Sequence, residues 1–150
     1  MRILFDTHAL IWFLSDSPRL PTDIRALLLR QDARLFFSSV SVLEIAIKHS
    51  LKPEAMPCTA DAVYADAIAS GLEEMPFVSR HAQRVGVLPW IHRDPFDRML
   101  VAQARTEGMI LLSHDGDVIR YGDGIKGFLS LKIAVDALER LRATTEARRI

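Results

Sequence analysis

Residues 92–117 read HRDPFDRMLVAQARTEGMILLSHDGD, and this stretch decides the fold class. Asp94 before Pro95 is a helix start. The Asp side chain accepts an orphan N–H of the first turn, and proline at the first helical position lacks an N–H that would have no partner there. The helix is predicted to run to about Glu107 and to stop at Gly108. Met109–Leu112 is wholly apolar and short, which predicts a buried strand, ended by Ser113-His114-Asp115.

The same grammar recurs upstream. Ile3–Phe5 reads as a buried strand ended by Asp6, with a helix over Thr7–Leu14 broken by Ser15-Asp16-Ser17-Pro18. A second helix is predicted over Pro21–Leu29. A strand follows at Leu35–Phe37, then a helix over Ser41–His49 and a Pro-containing loop over Lys52–Pro57. Thr59 is expected to cap a helix ending at Gly71. Phe77-Val78 is read as a short strand, Ser79 as the start of a short helix, Asp117–Tyr121 as one helical turn and Asp123-Gly124 as a turn. Strands alternating with helices predict an α/β fold with a mainly parallel sheet. From Leu131 an amphipathic helix is predicted, with Leu131, Val135, Leu138 and Leu141 on one face and a frayed polar end from Thr144.

A chain of 150 residues suits one ordinary domain with a core of its own. Lysine plus arginine and aspartate plus glutamate balance at 19 each, which excludes a strongly basic nucleic-acid binder but not a nuclease that grips a few phosphates. Cys58 is the only cysteine, so an internal disulfide is impossible and a reducing, cytoplasmic setting is expected. Asp6 and His8 interrupt the apolar start, against a signal peptide. No segment approaches the ~18 apolar residues of a membrane helix.

The acids fall in telling places. Asp6 and Asp115 follow predicted strands, and ligands of open parallel sheets bind beyond the carboxyl ends of strands. Glu44 lies one turn into the helix after the second strand. Asp97 lies in the first turn of the helix that Asp94 opens, so both carboxylates project from its N-terminal end. Each acid also has a plain structural use: a capping box over Ser41–Glu44, a cap at Asp94, a dipole contact at Asp97, a turn at Asp115. Asp6, between apolar stretches, fits such a use least. If the acids converge, two carboxylates ~4 Å apart repel by roughly 4 kcal/mol at an effective dielectric of ~20. A cluster is then tolerable only with protons or a cation. All-oxygen donors suit Mg²⁺ or Mn²⁺ over zinc or copper.

At these residues the chain resembles a known family. FDTHAL at 5–10, SVSVLEIAIKHSL at 39–51, HRDPFDRMLVAQA at 92–104 and ILLSHDGDV at 110–118 are similar to the PIN domain, more narrowly to VapC-type toxins of toxin–antitoxin pairs. The resemblance covers residues 1–128 and implies an α/β/α sandwich. It leaves 129–150 as an added C-terminal helix and tail. It implies a Mg²⁺- or Mn²⁺-dependent endoribonuclease whose catalytic and metal-holding acids map onto Asp6, Glu44, Asp97 and Asp115. Asp6 and Asp97 are the best direct ligands. Asp94 and Asp117 are extra acids nearby, and Ser113 stands beside the fourth acid, where it would orient a ligand water. Hydrolysis by water would leave 5′-phosphate and 3′-hydroxyl ends. The resemblance also implies a homodimer and an antitoxin that lays an apolar helix near Trp12 and the Leu51–Met56 loop.

For substrate grip, Lys48, Arg93 and Arg98 are the basic candidates, each also readable as a solvated surface charge. The expected substrate is single-stranded or loop RNA. Trp12 and Trp90 are able to stack on bases, although packing is the commoner use of tryptophan. His8, His92 and His114 stand near acids in sequence, and surface or supporting roles are expected for them over a shared zinc site. Two other functions compete. One is a catalytically silent module that binds RNA or a partner. The other is phosphotransfer with Asp6 as nucleophile, against which FDTHAL lacks a second Asp two residues on.

Overall fold

The computed structural model describes residues 1–148. Its strands are β1 (Arg2–Phe5), β2 (Arg34–Ser38), β3 (Glu73–Met75), β4 (Ile110–Leu112) and β5 (Ile125–Lys126). Its helices are α1 (Thr7–Leu14), α2 (Thr22–Leu28), α3 (Ser39–Leu51), α4 (Ala60–Ala69), α5 (Ser79–Val85), α6 (Pro95–Glu107), α7 (Gly116–Ile119) and α8 (Phe128–Ala147). All strand pairs are parallel, in the order β3-β2-β1-β4-β5.

The apolar strands explain the layers. A parallel sheet covered by helices on both faces needs side chains that tolerate burial on either side. Ile3, Phe5, Phe37 and Leu112 enter one core with Leu10 and Phe13 of α1, Ile24 and Leu28 of α2, Ala67 of α4, and Leu131 and Val135 of α8. Leu4, Phe36 and Leu111 point the other way and pack on Leu100, Val101 and Ala104 of α6 and Val118 of α7. The result is the expected α/β/α sandwich.

From β1 the chain winds outward through β2 to β3, then returns to the other side of β1 for β4 and β5. The winding direction therefore reverses between β1 and β4, where open α/β sheets leave a crevice for ligands. Phe5 is in register with Leu112, and the Asp6 N–H donates to the Leu112 carbonyl at 3.0 Å. The residues that follow these two strands are thus set side by side.

Four expectations change. The third strand is Glu73–Met75, not Phe77-Val78. It is an edge strand with an exposed acidic sequence, tied to β2 by the bidentate Arg34–Glu73 pair; Phe77 instead donates its N–H to Ser39 Oγ at 2.9 Å. β5 has only two residues, too few for a periodic signal. α3 begins at Ser39 behind a Ser38 cap, so Ser41–Glu44 is not a capping box. α8 begins at Phe128 and continues through the segment expected to fray from Thr144, as far as Ala147; residues 149–150 lie outside the described residues.

Thr59 does cap α4, its hydroxyl accepting the Ala62 N–H at 3.2 Å. Thr59→Ala is expected to cost about 1 kcal/mol, read as a lower midpoint in urea with an unchanged slope.

Candidate active site

Asp6 is the N-cap of α1 and is 4 % exposed. Its Oδ1 accepts the Ala9 N–H at 2.7 Å, and its Oδ2 accepts the Ser113 hydroxyl at 2.5 Å. Ser113 Oγ in turn accepts the Asp115 N–H at 3.0 Å, so one buried serine couples the acids at the two strand ends. Burial raises the Asp6 pKa, against the pull of Ser113, the Ala9 N–H and the His8 charge.

Glu44 lies in the second turn of α3 and is buried. The Thr7 hydroxyl, beside Asp6 in sequence, donates to Glu44 Oε1 at 2.8 Å and lies 3.0 Å from Ser41 Oγ. Glu44 Oε2 is 2.5 Å from Lys48 Nζ. Burial alone would lower the Lys48 pKa, but the charges of Glu44, Asp94 and Asp97 outweigh it and raise it.

Asp97 projects from the first turn of α6. The capping role at this helix belongs to Asp94, whose Oδ1 accepts the N–H groups of Phe96 and Asp97 at 2.8 and 3.2 Å. Asp97 Oδ2 is 2.7 Å from His92 Nε2. Burial pushes its carboxyl up to about 6, and the charges of Asp94, Glu44 and Asp6 add to the rise while His92 opposes it. Repulsion among carboxylates is therefore built into the folded state. Asp115 caps α7 through the Asp117 and Val118 N–H groups and is exposed. Ligand atoms of His92, Asp97 and Asp115 all lie within 4.8 Å of one another. Asp6 and Glu44 are outside that trio but close enough for their charges to act on Asp97.

His92 is the member sequence reasoning left at the margin. The signal was its place five residues before Asp97, just ahead of the Asp94-Pro95 helix start. Thr7 and Ser41 were also missed; a hydroxyl next to Asp6 and another one turn before Glu44 were the signs. Asp117 sits at the rim, 3.8 Å from His92 Nδ1 and 3.3 Å from Arg120.

Of the basic candidates, Arg93 is exposed and Lys48 lies beside the acids. Arg98 is a correction: it is 3 % exposed, not a surface charge. Its guanidinium donates to the carbonyls of Val85, Leu88 and Pro89 and to the Tyr121 hydroxyl, so four of its five N–H donors hold the segment before α6 and Tyr121 rather than a substrate. Trp90, 82 % exposed, covers that guanidinium at 4.1 Å.

A cleft of about 470 Å³ beside Asp6 is lined by Asp6, His8, Trp12, Arg19, His114 and Asp115. Among the described residues no helix is long and apolar enough to cross a membrane.

The PIN domain family model matches residues 3–124. The chain belongs to the PIN domain family. Membership supports a nuclease-type hydrolase. Solved structures agree on the fold. VapBC2 from Rickettsia felis, bound to a DNA fragment from its promoter, has a chain with TM-score 0.62 and 14 % identity, over 85 % of this PIN domain chain and 98 % of that one. DNA-bound VapBC from Salmonella typhimurium gives 0.58 and 20 %, over 85 % and 98 %. A toxin–antitoxin complex from Klebsiella pneumoniae gives 0.54 and 16 %, over 83 % and 95 %. No curated protein sequence matches.

Proposed function

We propose that this PIN domain is the toxin of a toxin–antitoxin pair, a cytoplasmic endoribonuclease that depends on Mg²⁺ or Mn²⁺. The observation that carries the proposal is the convergence of the acids: ligand atoms of His92, Asp97 and Asp115 lie within 4.8 Å of one another, and Asp94, Glu44 and Asp6 are close enough for their charges to act on Asp97. A fold that keeps such repulsion needs a cation or a proton to offset it. The donor set fits a hard divalent ion: carboxylate oxygens with one imidazole at the edge. Asp6 and Asp97 would hold it, with Glu44 and Asp115 completing the set. Bound there, the ion supplies Lewis acidity towards a phosphodiester.

The chain's own groups do the rest. Ser113 and the Ala9 N–H fix both oxygens of Asp6. Thr7 fixes Glu44, and His92 fixes Asp97. Held rotamers keep the acids in place without reorganisation during the reaction. Lys48 pairs with Glu44 yet is 40 % exposed, so its flexible stem can swing towards an incoming phosphate. The likeness to chains of VapBC complexes supports an antitoxin partner, and we extend the proposal to a homodimer.

Purified chain is expected to cut single-stranded RNA in Mn²⁺ or Mg²⁺, to stop in EDTA, and to resume when the ion is restored. RNA retained uncut in saturating Mn²⁺ would establish the silent binding module instead. Co-expression with the neighbouring upstream reading frame, followed by mass spectrometry of the complex, tests the partner.

A further inference from the structure

The cleft beside Asp6 has a wall that the acids do not use. Trp12 lies half-buried on α1. Its ring meets His114 edge-on with centroids 5.0 Å apart, His8 at 6.1 Å and Phe128 at 6.4 Å. The Arg19 guanidinium is 5.7 Å from the Trp12 ring centroid. Arg19 is exposed and, among the described residues, has no carboxylate within ion-pair distance. The cleft thus brings together the acids Asp6 and Asp115, an indole flanked by the imidazoles of His8 and His114, and the Arg19 cation.

We infer that this cleft is a nucleobase subsite, taking one unpaired ribonucleotide next to the scissile phosphate. The base lies against Trp12 with the imidazoles of His8 and His114 at its edges, and an adjoining phosphate meets Arg19. The inference rests on the ribonuclease reading and adds the substrate contact to it. The volume, about 470 Å³, falls within the ~300–1,000 Å³ of small-molecule sites. Every base offers a π face to an aromatic wall, and a guanidinium is suited to phosphate. Trp12 is already held by Phe128 and the core, so little side-chain freedom is lost on stacking. Unpaired RNA is selected because a stacked, paired base cannot present its face. An apolar peptide helix fits less well, since it would desolvate His8, His114 and Arg19 without offering them partners.

The test is steady-state cleavage of a single-stranded oligoribonucleotide in Mn²⁺. Trp12→Ala is expected to raise KM by about five- to a hundredfold with kcat little changed. Trp12→Phe, which keeps a ring, should recover most of that. Arg19→Gln, at an exposed position, should raise KM and lower the salt slope of binding by about one ion. A second readout uses fluorescence. Trp12 and Trp90 are the only tryptophans, so in the non-cutting Asp97→Asn/Trp90→Phe chain the emission of Trp12 should be quenched by the oligonucleotide. Quenching should be lost when the nucleotide at the cleavage site is abasic. Unchanged KM in Trp12→Ala and Arg19→Gln, with equal binding of the abasic strand, overturns the subsite while leaving the ribonuclease reading intact. The same result with loss of antitoxin binding makes the cleft a protein-docking surface. Absence of any cleavage by the unaltered chain removes the ribonuclease reading itself.

Discussion

Asp97→Asn is expected to lower divalent-dependent RNA cleavage by on the order of a thousandfold while leaving the chain at least as stable as the unaltered protein in EDTA. The two halves of this result come from different parts of the structure. Activity falls because an amide is a poor ligand for a hard cation and removes a charge from the set. Stability holds because Asp94, not Asp97, caps α6, so no cap is lost. The change also removes a carboxylate that Asp94, Glu44 and Asp6 repel. Asp6→Asn should behave alike in activity. Its amide oxygen can keep the Ala9 N–H, and its NH₂ can donate to Ser113 Oγ, reversing the present bond. Asp94→Ala is the contrast, since it costs a cap worth about 1 kcal/mol. Normal cleavage by folded Asp97→Asn protein would refute the assignment. A large fall in its melting temperature would return Asp97 to a purely structural role.

What was legible in the sequence was legible for physical reasons. Asp94-Pro95 and Gly108 mark α6 because a cap, a missing N–H and a left-handed residue each leave a chemical signature; Gly108 has φ +63°. Ile3–Phe5 and Met109–Leu112 announced β1 and β4 because strands buried on both faces must be apolar throughout. With those two strands identified, Asp6 and Asp115 were already placed at strand ends. The edge strands β3 and β5 were hidden because pairing to a neighbour, not their own pattern, makes them strands. Arg98 was misread for a related cause. Nothing local to Phe96–Met99 shows that Val85, Leu88 and Pro89 turn their carbonyls towards one guanidinium. His92 was undervalued because it lies outside α6, and its contact with Asp97 depends on the path of the chain before the helix, which sequence spacing alone does not measure.

The burial and carboxylate repulsion that disfavour the charged, ion-free site make stability depend on pH in an unusual direction. In EDTA, the contribution of Asp97 is expected to fall as pH rises from about 4 to about 6, by roughly 3 kcal/mol in total. The sign follows from the folded carboxyl titrating near 6 against an ordinary 3.8. Between those values the folded chain holds a proton that the unfolded chain has released, so raising the pH favours unfolding. Below 3.8 both states are protonated and the penalty vanishes; above about 6 it is complete. Asp6, also raised by burial, acts in the same sense. Glu107, Asp23 and Asp32 have lowered pKa values, through His81, Lys132 and Arg30 respectively, and so work the other way, adding stability as pH climbs out of the acid range. Comparison with Asp97→Asn cancels their contribution. The difference in melting temperature between the two proteins, followed from pH 4 to 7 in EDTA, should open steadily in favour of the variant. Mn²⁺ should close it for the unaltered chain only, and more at pH 7.5 than at pH 5, because an ion that binds only the folded state stabilises it by mass action once the carboxylates are charged. Parallel curves for the two proteins across that range, with no added effect of Mn²⁺, would mean that the Asp97 carboxylate is not under the strain the fold implies and that no cation is needed to relieve it.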